Sequence, residues 1–294
     1  MTITERFLAA VESIRKQVES DASVIALLLA GSLSYGTVWE KSDIDLTLLV
    51  RDGTAGAGPT YYLDEDGINV VLAIMEVSKF KNTIQRVRGG AFSHSYWSKG
   101  RFIFTKDETL PDFLLSMGKV GKDDAALTAI SEVADVIGLI EKVEKWLLVY
   151  ENPLYAQRFL QICCHYLANF VLLTRLELPD RESILRAAEL EPDLMSEIYI
   201  TPSTTKMTAA DIRKALQIID DYLVKHIDFW SAPVLRLLEN GEVMSNSEIA
   251  KALRINSFHL GYLAEKGKIL RLTQTARLFK KGRATVEEIA YMKV

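Results

Sequence analysis

From Leu27 to Val50 the chain reads LLLAGSLSYGTVWEKSDIDLTLLV, and this stretch holds the residue types best suited to chemistry. Asp43 and Asp45 stand at i and i+2 in an apolar strand pattern, so both carboxylates share one face while Ile44 and Leu46 point into a core. Two carboxylates aimed at one spot repel each other unless a cation lies between them. Mg²⁺, which favours carboxylate and phosphate oxygens, is the expected occupant. Upstream, Gly31 allows close backbone approach where the chain leaves a strand, and Ser32 with the amides of the following turn presents donors to phosphate oxygens. Ser34 in that turn and Lys41 ahead of the aspartates complete a candidate nucleotide-binding set of Gly31, Ser32, Ser34 and Lys41. Tyr35 and Trp39 lie in the loop between, with ring faces suited either to a base or to core packing.

Positioning these groups requires strands on both sides. VIALLLAGS is an apolar run of strand length ending at Gly31 and Ser32, and residues 43–50 form a second strand. YYLDEDGINVVLAIM reads as a hairpin turning at Asp64 to Gly67, with Ile68 to Met75 as a third strand. Residues 78–88 return to helical period, and RFIFTKDETL reads as a short strand ending in a turn. The N-terminal MTITERFLAAVESIRKQ lacks the basic-then-apolar layout of a signal peptide and reads as an amphipathic helix with Thr4 as N-cap. Residues 1–115 are thus expected to form a mixed α/β domain.

A small-apolar-Gly-Ser turn followed at this spacing by Asp-apolar-Asp-apolar resembles the polymerase-β-type nucleotidyltransferase superfamily. The fold implied is α+β, a mixed sheet flanked by helices, and the helical region that follows more loosely resembles the bundle of kanamycin-nucleotidyltransferase-like enzymes. By that resemblance Asp43 and Asp45 bind metal, two Mg²⁺ ions bridge the triphosphate of ATP or another nucleoside triphosphate, and an acceptor hydroxyl attacks the α-phosphorus with pyrophosphate leaving. The superfamily carries a third catalytic carboxylate in an apolar-x-apolar setting on a later strand. The matching segment here is Ile68-Asn69-Val70, so Asn69 occupies the third catalytic position. Asparagine offers a carbonyl ligand but neither accepts a proton nor neutralises positive charge. Glu76 lies at an odd offset from Asn69, which points it to the opposite face, and Asp64 and Asp66 are assigned to the turn.

Weaker candidates surround this core set. Arg86, Arg88, Lys99 and Arg101 flank Gly89-Gly90 and Ser93-His94-Ser95, and read either as contacts to triphosphate or acceptor or as solvated surface. His165 and His226 lie in helical segments and read as structural; His94 is the histidine to test.

Beyond residue 115 the pattern turns helical, with apolar residues at i, i+3, i+4 over Ala125–Tyr150, Tyr155–Glu177, Asp180–Glu189 and Ala209–Phe229, and with breaks at Asn152-Pro153, Leu178-Pro179 and Thr201-Pro202. This places a bundle over 116–230. Residues 231–294 read differently: a helix Val234–Glu239, a capping box Ser245-Asn246-Ser247-Glu248, a third helix capped by Asn256 or Ser257 and stopped at Gly267, then two β-rich stretches, Ile269–Leu272 and Ala276–Phe279. This arrangement resembles a winged helix-turn-helix, with residues 245–283 as the candidate DNA-binding segment.

The formal charge of -4 is asymmetric: residues 231–294 carry 11 Lys+Arg against 6 Asp+Glu, or +5, which leaves -9 on the remainder. A basic end suits a polyanion or is simply a solvated face. With 49% hydrophobic and 25% charged residues and no low-complexity tract, the chain is expected to fold without help from metal or disulfide. Adjacent Cys163 and Cys164 argue against a disulfide or zinc site, and no apolar run approaches the roughly 20 residues needed to span a bilayer. A cytoplasmic protein is expected, with no membrane partner, a nucleoside triphosphate and an unidentified acceptor as ligands, and a homodimer as an alternative use of the C-terminal segment.

Overall fold

The computed structural model describes all residues except 55, 87–91, 119, 256–259 and 280–281, and the side chains of residues 86, 92 and 93 also lie outside the description. The chain divides into two compact units, Met1–Val120 and Gly121–Val294.

The first unit is built on a five-stranded sheet: β1 Val24–Ala30, β2 Ile44–Val50, β3 Thr60–Glu65, β4 Ile68–Glu76 and β5 Arg101–Thr105, in the order β3-β4-β2-β1-β5. Only β2 and β4 run parallel; the other neighbours are antiparallel. One face, carrying Leu27, Leu29, Ile44, Leu46, Val70 and Leu72, packs on helix α1 (Ile3–Val18) through Phe7, Ala10, Val11 and Ile14. The other face, with Ala26, Leu28 and Leu49, takes Phe80 and Ile84 of α2 (Val77–Arg86), and Leu110 and Leu114 of α4 (Thr109–Ser116); α3 (Phe92–Ser98) lies between these helices in sequence. The α+β class with a mixed sheet follows directly.

Local chemistry explains several boundaries. Helix α1 begins two residues earlier than expected, because Thr2 rather than Thr4 is the N-cap: its hydroxyl accepts from the Glu5 amide while the Glu5 carboxylate accepts from the Thr2 amide. Thr2, not Thr4, stands at the capping-box distance from Glu5. The β3–β4 hairpin turns on Asp66 and Gly67, both at positive φ (54° and 78°), as a two-residue turn of the kind that matches strand twist. Asp64 is therefore a strand residue and not part of the turn, a correction that matters for the site. The expected turn after β5 is helix α4, whose Pro111 sits in the first turn, where a missing N–H costs nothing.

In the second unit, α5 (Lys122–Leu148) and α6 (Pro153–Thr174) pack along their lengths, with Pro153 in the first turn of α6 and the Asn152 carbonyl side chain capping the Tyr155 amide at 3.0 Å. The chain continues through α7 (Ser183–Leu190), α8 (Pro192–Met195), a π turn over Ser196–Ile200, α9 (Thr201–Thr204), α10 (Ala209–Lys225) and α11 (Ile227–Leu237). The predicted break at Thr201-Pro202 is absent. Pro202 occupies the start of α9, and its carbonyl accepts from the side-chain amides of Gln157 and Gln161 (2.7 and 2.8 Å), so helical structure carries through. The expected single helix 209–229 instead breaks at His226, where buried Trp230 turns back to donate its indole N–H to the Leu223 carbonyl at 3.0 Å. Position 230/231 falls inside α11.

The C-terminal segment runs β6 (Met244–Ser245), α12 (Asn246–Leu253), α13 (Leu260–Glu265), β7 (Ile269–Arg277) and β8 (Thr285–Lys293), with the sheet in the order β6-β8-β7. Ser245 and Glu248 form the expected capping box, and Gly267 (φ 71°) ends the turn after α13. The Asn256 or Ser257 cap lies outside the described residues. The two β-rich stretches expected at 269–272 and 276–279 merge into one strand that ends at Arg277, short of Leu278 and Phe279: the polar residues Thr273, Gln274 and Thr275 stay in the ladder opposite Ile289, Glu288 and Glu287 of β8. Strand β8 has exposed residues over most of its length and no clean apolar alternation, which hides it from periodicity.

Candidate active site

The site sits at the end of β1 and the start of β2. Ala30 is opposite Asp45 in the antiparallel β1–β2 pair, so the turn leaving β1 passes over the Asp45 side chain. That turn opens on Gly31 at φ 68°, ψ -164°, a combination essentially restricted to glycine. A Cβ built there would meet the Asp45 carboxylate oxygen at 2.1 Å, so the backbone and this carboxylate occupy adjoining space that any side chain would fill. Residues Ser32–Tyr35 form one turn of 3-10 helix, closed by Gly36 in the left-handed region. Within it the Ser34 hydroxyl donates to the Gly31 carbonyl at 2.7 Å and the Ser34 amide to the same carbonyl at 3.0 Å. Ser34 thus braces the turn, keeping only hydroxyl lone pairs for a further contact.

Asp43 immediately precedes β2, exposed, and Asp45 is half-buried within it; between and beyond them Ile44 and Leu46 are buried. The shared face expected from the i, i+2 spacing is therefore present. Across the parallel β2–β4 ladder Ile44 pairs with Val70 and Asp45 with Val71, which sets Asn69 level with Asp43 on the same face of the sheet, exposed. In the β3–β4 pair Asp64 stands opposite Asn69, and Tyr62 opposite Val71. Directly opposite residues share a face. One row across the sheet thus reads Ala30, Asp45, Val71, Tyr62, and the next Asp43, Asn69, Asp64. Asp64 is the neighbouring carboxylate that sequence reasoning discarded by placing it in the turn, and its Oδ1 accepts from the Gly67 amide at 3.1 Å. Tyr62, 83% exposed, was not singled out at all; only the β3–β4 register places it here. Glu76 is removed from consideration by distance as well as face. It pairs with Val50, five residues beyond Asp45 and roughly 16 Å along the strand, where its carboxylate accepts from the Gly53 amide at 2.8 Å.

Among the outlying cations, Lys99 comes to the site: its ammonium lies 5.1 Å from the centroid of the Tyr35 ring, a cation–π distance, beside the Gly31 turn. Lys41 stacks on Trp39 at 5.6 Å. Tyr35 and Trp39 are 42% and 60% exposed, so the core-packing alternative does not hold for either. Arg101 pairs with Leu29, which places it on the α1 face, away from Asp45. The Arg86 side chain, Arg88, Gly89-Gly90 and the Ser93 side chain lie outside the described residues. His94 is buried and its Nε2 donates to the Met117 carbonyl at 2.5 Å, a packing role. Elsewhere, His165 is exposed on α6, and His226 is packed on the Tyr222 ring at 4.7 Å, with burial and then Lys225 pulling its pKa down. Cys163 and Cys164 are buried free thiols; burial pushes Cys164 up to about 12 and Cys163 higher still, which leaves both unreactive.

Among the described residues no group of three or more His, Cys, Asp or Glu side chains is placed to hold a metal ion, so Asp43 and Asp45 stand as a pair. No described helix is long and apolar enough to cross a membrane.

No protein-family model and no curated protein sequence matches the chain. Among solved structures, the crystal structure of a nucleotidyltransferase-like protein from Exiguobacterium sibiricum 255-15 superposes with a TM-score of 0.62 at 16% identity, covering 97% of this chain and 99% of that one. The chain has a nucleotidyltransferase-like fold. The motif lies in the first unit, whereas the likeness covers residues of both.

Proposed function

We propose that the first unit is a nucleotidyltransferase site of the polymerase-β type, taking ATP or another nucleoside triphosphate with Mg²⁺ and passing a nucleoside monophosphate to a hydroxyl of a small molecule or protein. The observation that carries this reading is the seating of the Asp45 carboxylate against the Gly31 backbone, with Asp43 on the same face. A phosphate chain entering over the Gly31–Tyr35 turn meets backbone amides, Ser32 and the Lys99 ammonium, while the exposed rings of Tyr35 and Trp39 offer stacking surface for the base.

The donor set fits a hard cation. Asp43 and Asp45 would hold one Mg²⁺, with phosphate oxygens and water completing its octahedron; a second ion would draw on the Asn69 carbonyl. When bound, the metal neutralises the triphosphate and makes its α-phosphorus more electrophilic. Asn69, level with Asp43, orients an acceptor hydroxyl by hydrogen bonding but takes no proton from it, so slow turnover is expected. The test is incubation of the protein with Mg²⁺, each of the four α-labelled nucleotides and a cell lysate. Label should pass to a new product with at least one nucleotide; none with any of the four counts heavily against transfer.

Asn69 also favours a second reading, a nucleotide-sensing protein with little turnover whose C-terminal module, in the order β6, α12, α13, β7, β8, is a winged helix contacting DNA through residues 245–283. Two cations near α13 are already matched within the unit, Lys266 by Asp220 (2.8 Å) and Lys268 by Asp228 (2.6 Å), which leaves exposed Arg277 and Arg283 near the β7–β8 tip for phosphates. Retention of the full chain on a DNA column should then fall steeply with salt. No retention even at low ionic strength would remove this reading.

A further inference from the structure

The second unit contains a cleft of about 650 Å³ between α5 and α10 on one side and α13 with the β7–β8 sheet on the other. Its size falls in the range of small-molecule sites. Ile137, Ile140, Leu216 and Leu260 supply an apolar lining. The polar lining is unevenly satisfied. Asp220 is fully used: it accepts from the Tyr262 hydroxyl at 2.7 Å and from the Lys266 ammonium at 2.8 Å. The Tyr291 ring, by contrast, is buried, while its hydroxyl has no hydrogen-bond partner among the described residues, is not one of the buried unpartnered atoms, and so opens onto the cleft.

Directly across the β7–β8 ladder from Tyr291 stands Arg271, on the same face and also lining the cleft. Its guanidinium makes no ion pair or hydrogen bond among the described residues, and neither does that of Arg213 on the α10 wall. Burial pushes the Tyr291 hydroxyl pKa up, opposed by the nearby Arg271 charge, so the phenol stays a protonated donor beside a cation. Glu141, Glu144 and Glu265 also border the cleft, exposed as Arg271 and Arg213 are, so the anion preference rests on the paired donor geometry of Arg271 and Tyr291 and not on net charge. A planar fork of N–H donors next to an O–H donor is the arrangement that captures a carboxylate, sulfonate or phosphate.

We propose that this cleft is a binding site for a small organic anion with an apolar body, its head group on Arg271 and the Tyr291 hydroxyl, with Arg213 facing it, and its body along Ile137, Ile140, Leu216 and Leu260. The site is separate from Asp43 and Asp45 and does not depend on their assignment. It is tested on the full-length protein by fluorescence titration with 8-anilinonaphthalene-1-sulfonate, alongside the uncharged N-phenyl-1-naphthylamine. Saturable binding of one sulfonate probe per chain is expected. Arg271→Gln should weaken it about tenfold and Tyr291→Phe severalfold, in line with loss of charge-assisted hydrogen bonds, while the uncharged probe changes less than about twofold. Octanoate should displace the sulfonate and octanol at equal concentration should not. Arg213→Gln, on an exposed position of α10, provides a second charge deletion should Arg271→Gln lower the thermal midpoint. The proposal is overturned by absence of saturable binding, by equal displacement with octanol, or by unchanged sulfonate affinity in both arginine variants.

Discussion

The double replacement Asp43→Ala, Asp45→Ala should abolish Mg²⁺-dependent nucleotide binding, lowering affinity for Mg-ATP and Mg-GTP by at least about 100-fold, near 2.7 kcal/mol, in isothermal calorimetry. The size follows from what the two groups share. They lie on one sheet face, next to a turn suited to phosphate, and among the described residues no third acid or histidine joins them to hold a metal in their place. Removing both takes away the anionic ligands a hard cation requires, and a triphosphate without its cation meets the site as an unneutralised polyanion. Stability should change little, because Asp43 is exposed, Asp45 half-buried, and the core residues Ile44 and Leu46 are untouched. Circular dichroism melting checks that point. Gly31→Ala should produce a similar loss of binding by a different route: the new methyl occupies the space of the Asp45 carboxylate oxygen, and the backbone there is strained for any residue but glycine. If the double variant binds as tightly as wild type, the nucleotide site has been assigned to the wrong residues.

Asn69→Asp should raise triphosphate hydrolysis or nucleotidyl transfer by roughly 10²- to 10⁴-fold, the usual contribution of a positioned general base, and should preserve or tighten Mg²⁺ binding. The expectation rests on register. With Ile44 opposite Val70 in the parallel β2–β4 pair, position 69 is level with Asp43, one inter-strand spacing of about 4.8 Å away, on the face that carries both aspartates. A carboxylate there gains the proton-accepting capacity that the amide lacks, without moving any backbone. Asn69→Ala should leave Mg-ATP affinity within about threefold, since an exposed neutral side chain contributes little to holding a cation. The pair of variants, assayed by release of label from α-labelled ATP, separates a protein that already turns over and gains little from one in which activity emerges only with the added acid. Weaker Mg²⁺ binding in Asn69→Asp would show that β4 does not supply the third group. Asp64, across the β3–β4 pair, would then be the next residue to vary, ahead of Glu76 at the far end of the sheet.

Much of the candidate site's geometry was legible in local sequence. The spacing of Asp43 and Asp45 in an apolar run dictates a common face by strand geometry alone, and Gly31 at the end of VIALLLA marks a backbone position that a side chain would obstruct. The Asp66-Gly67 hairpin, the Ser245–Glu248 capping box and the stop at Gly267 were legible for the same reason: each is decided by residues within a few positions of one another. The N-cap of α1 was equally local, since Thr2 stands at the capping-box distance from Glu5, yet the sequence reading placed it at Thr4. The tertiary structure decided everything that depends on which strand lies beside which. Period-two alternation says that Asn69 alternates with Ile68 and Val70, but not that β4 runs parallel to β2 in the register that brings Asn69 level with Asp43. Nor could it place Asp64 and Tyr62 on that face, bring Lys99 to Tyr35 from far along the chain, or align Arg271 with Tyr291 across a strand whose exposed, mixed composition leaves no periodic signal. Pairing and register are settled by the burial of whole faces against α1, α2 and α4, a collective free energy to which no single segment holds the key.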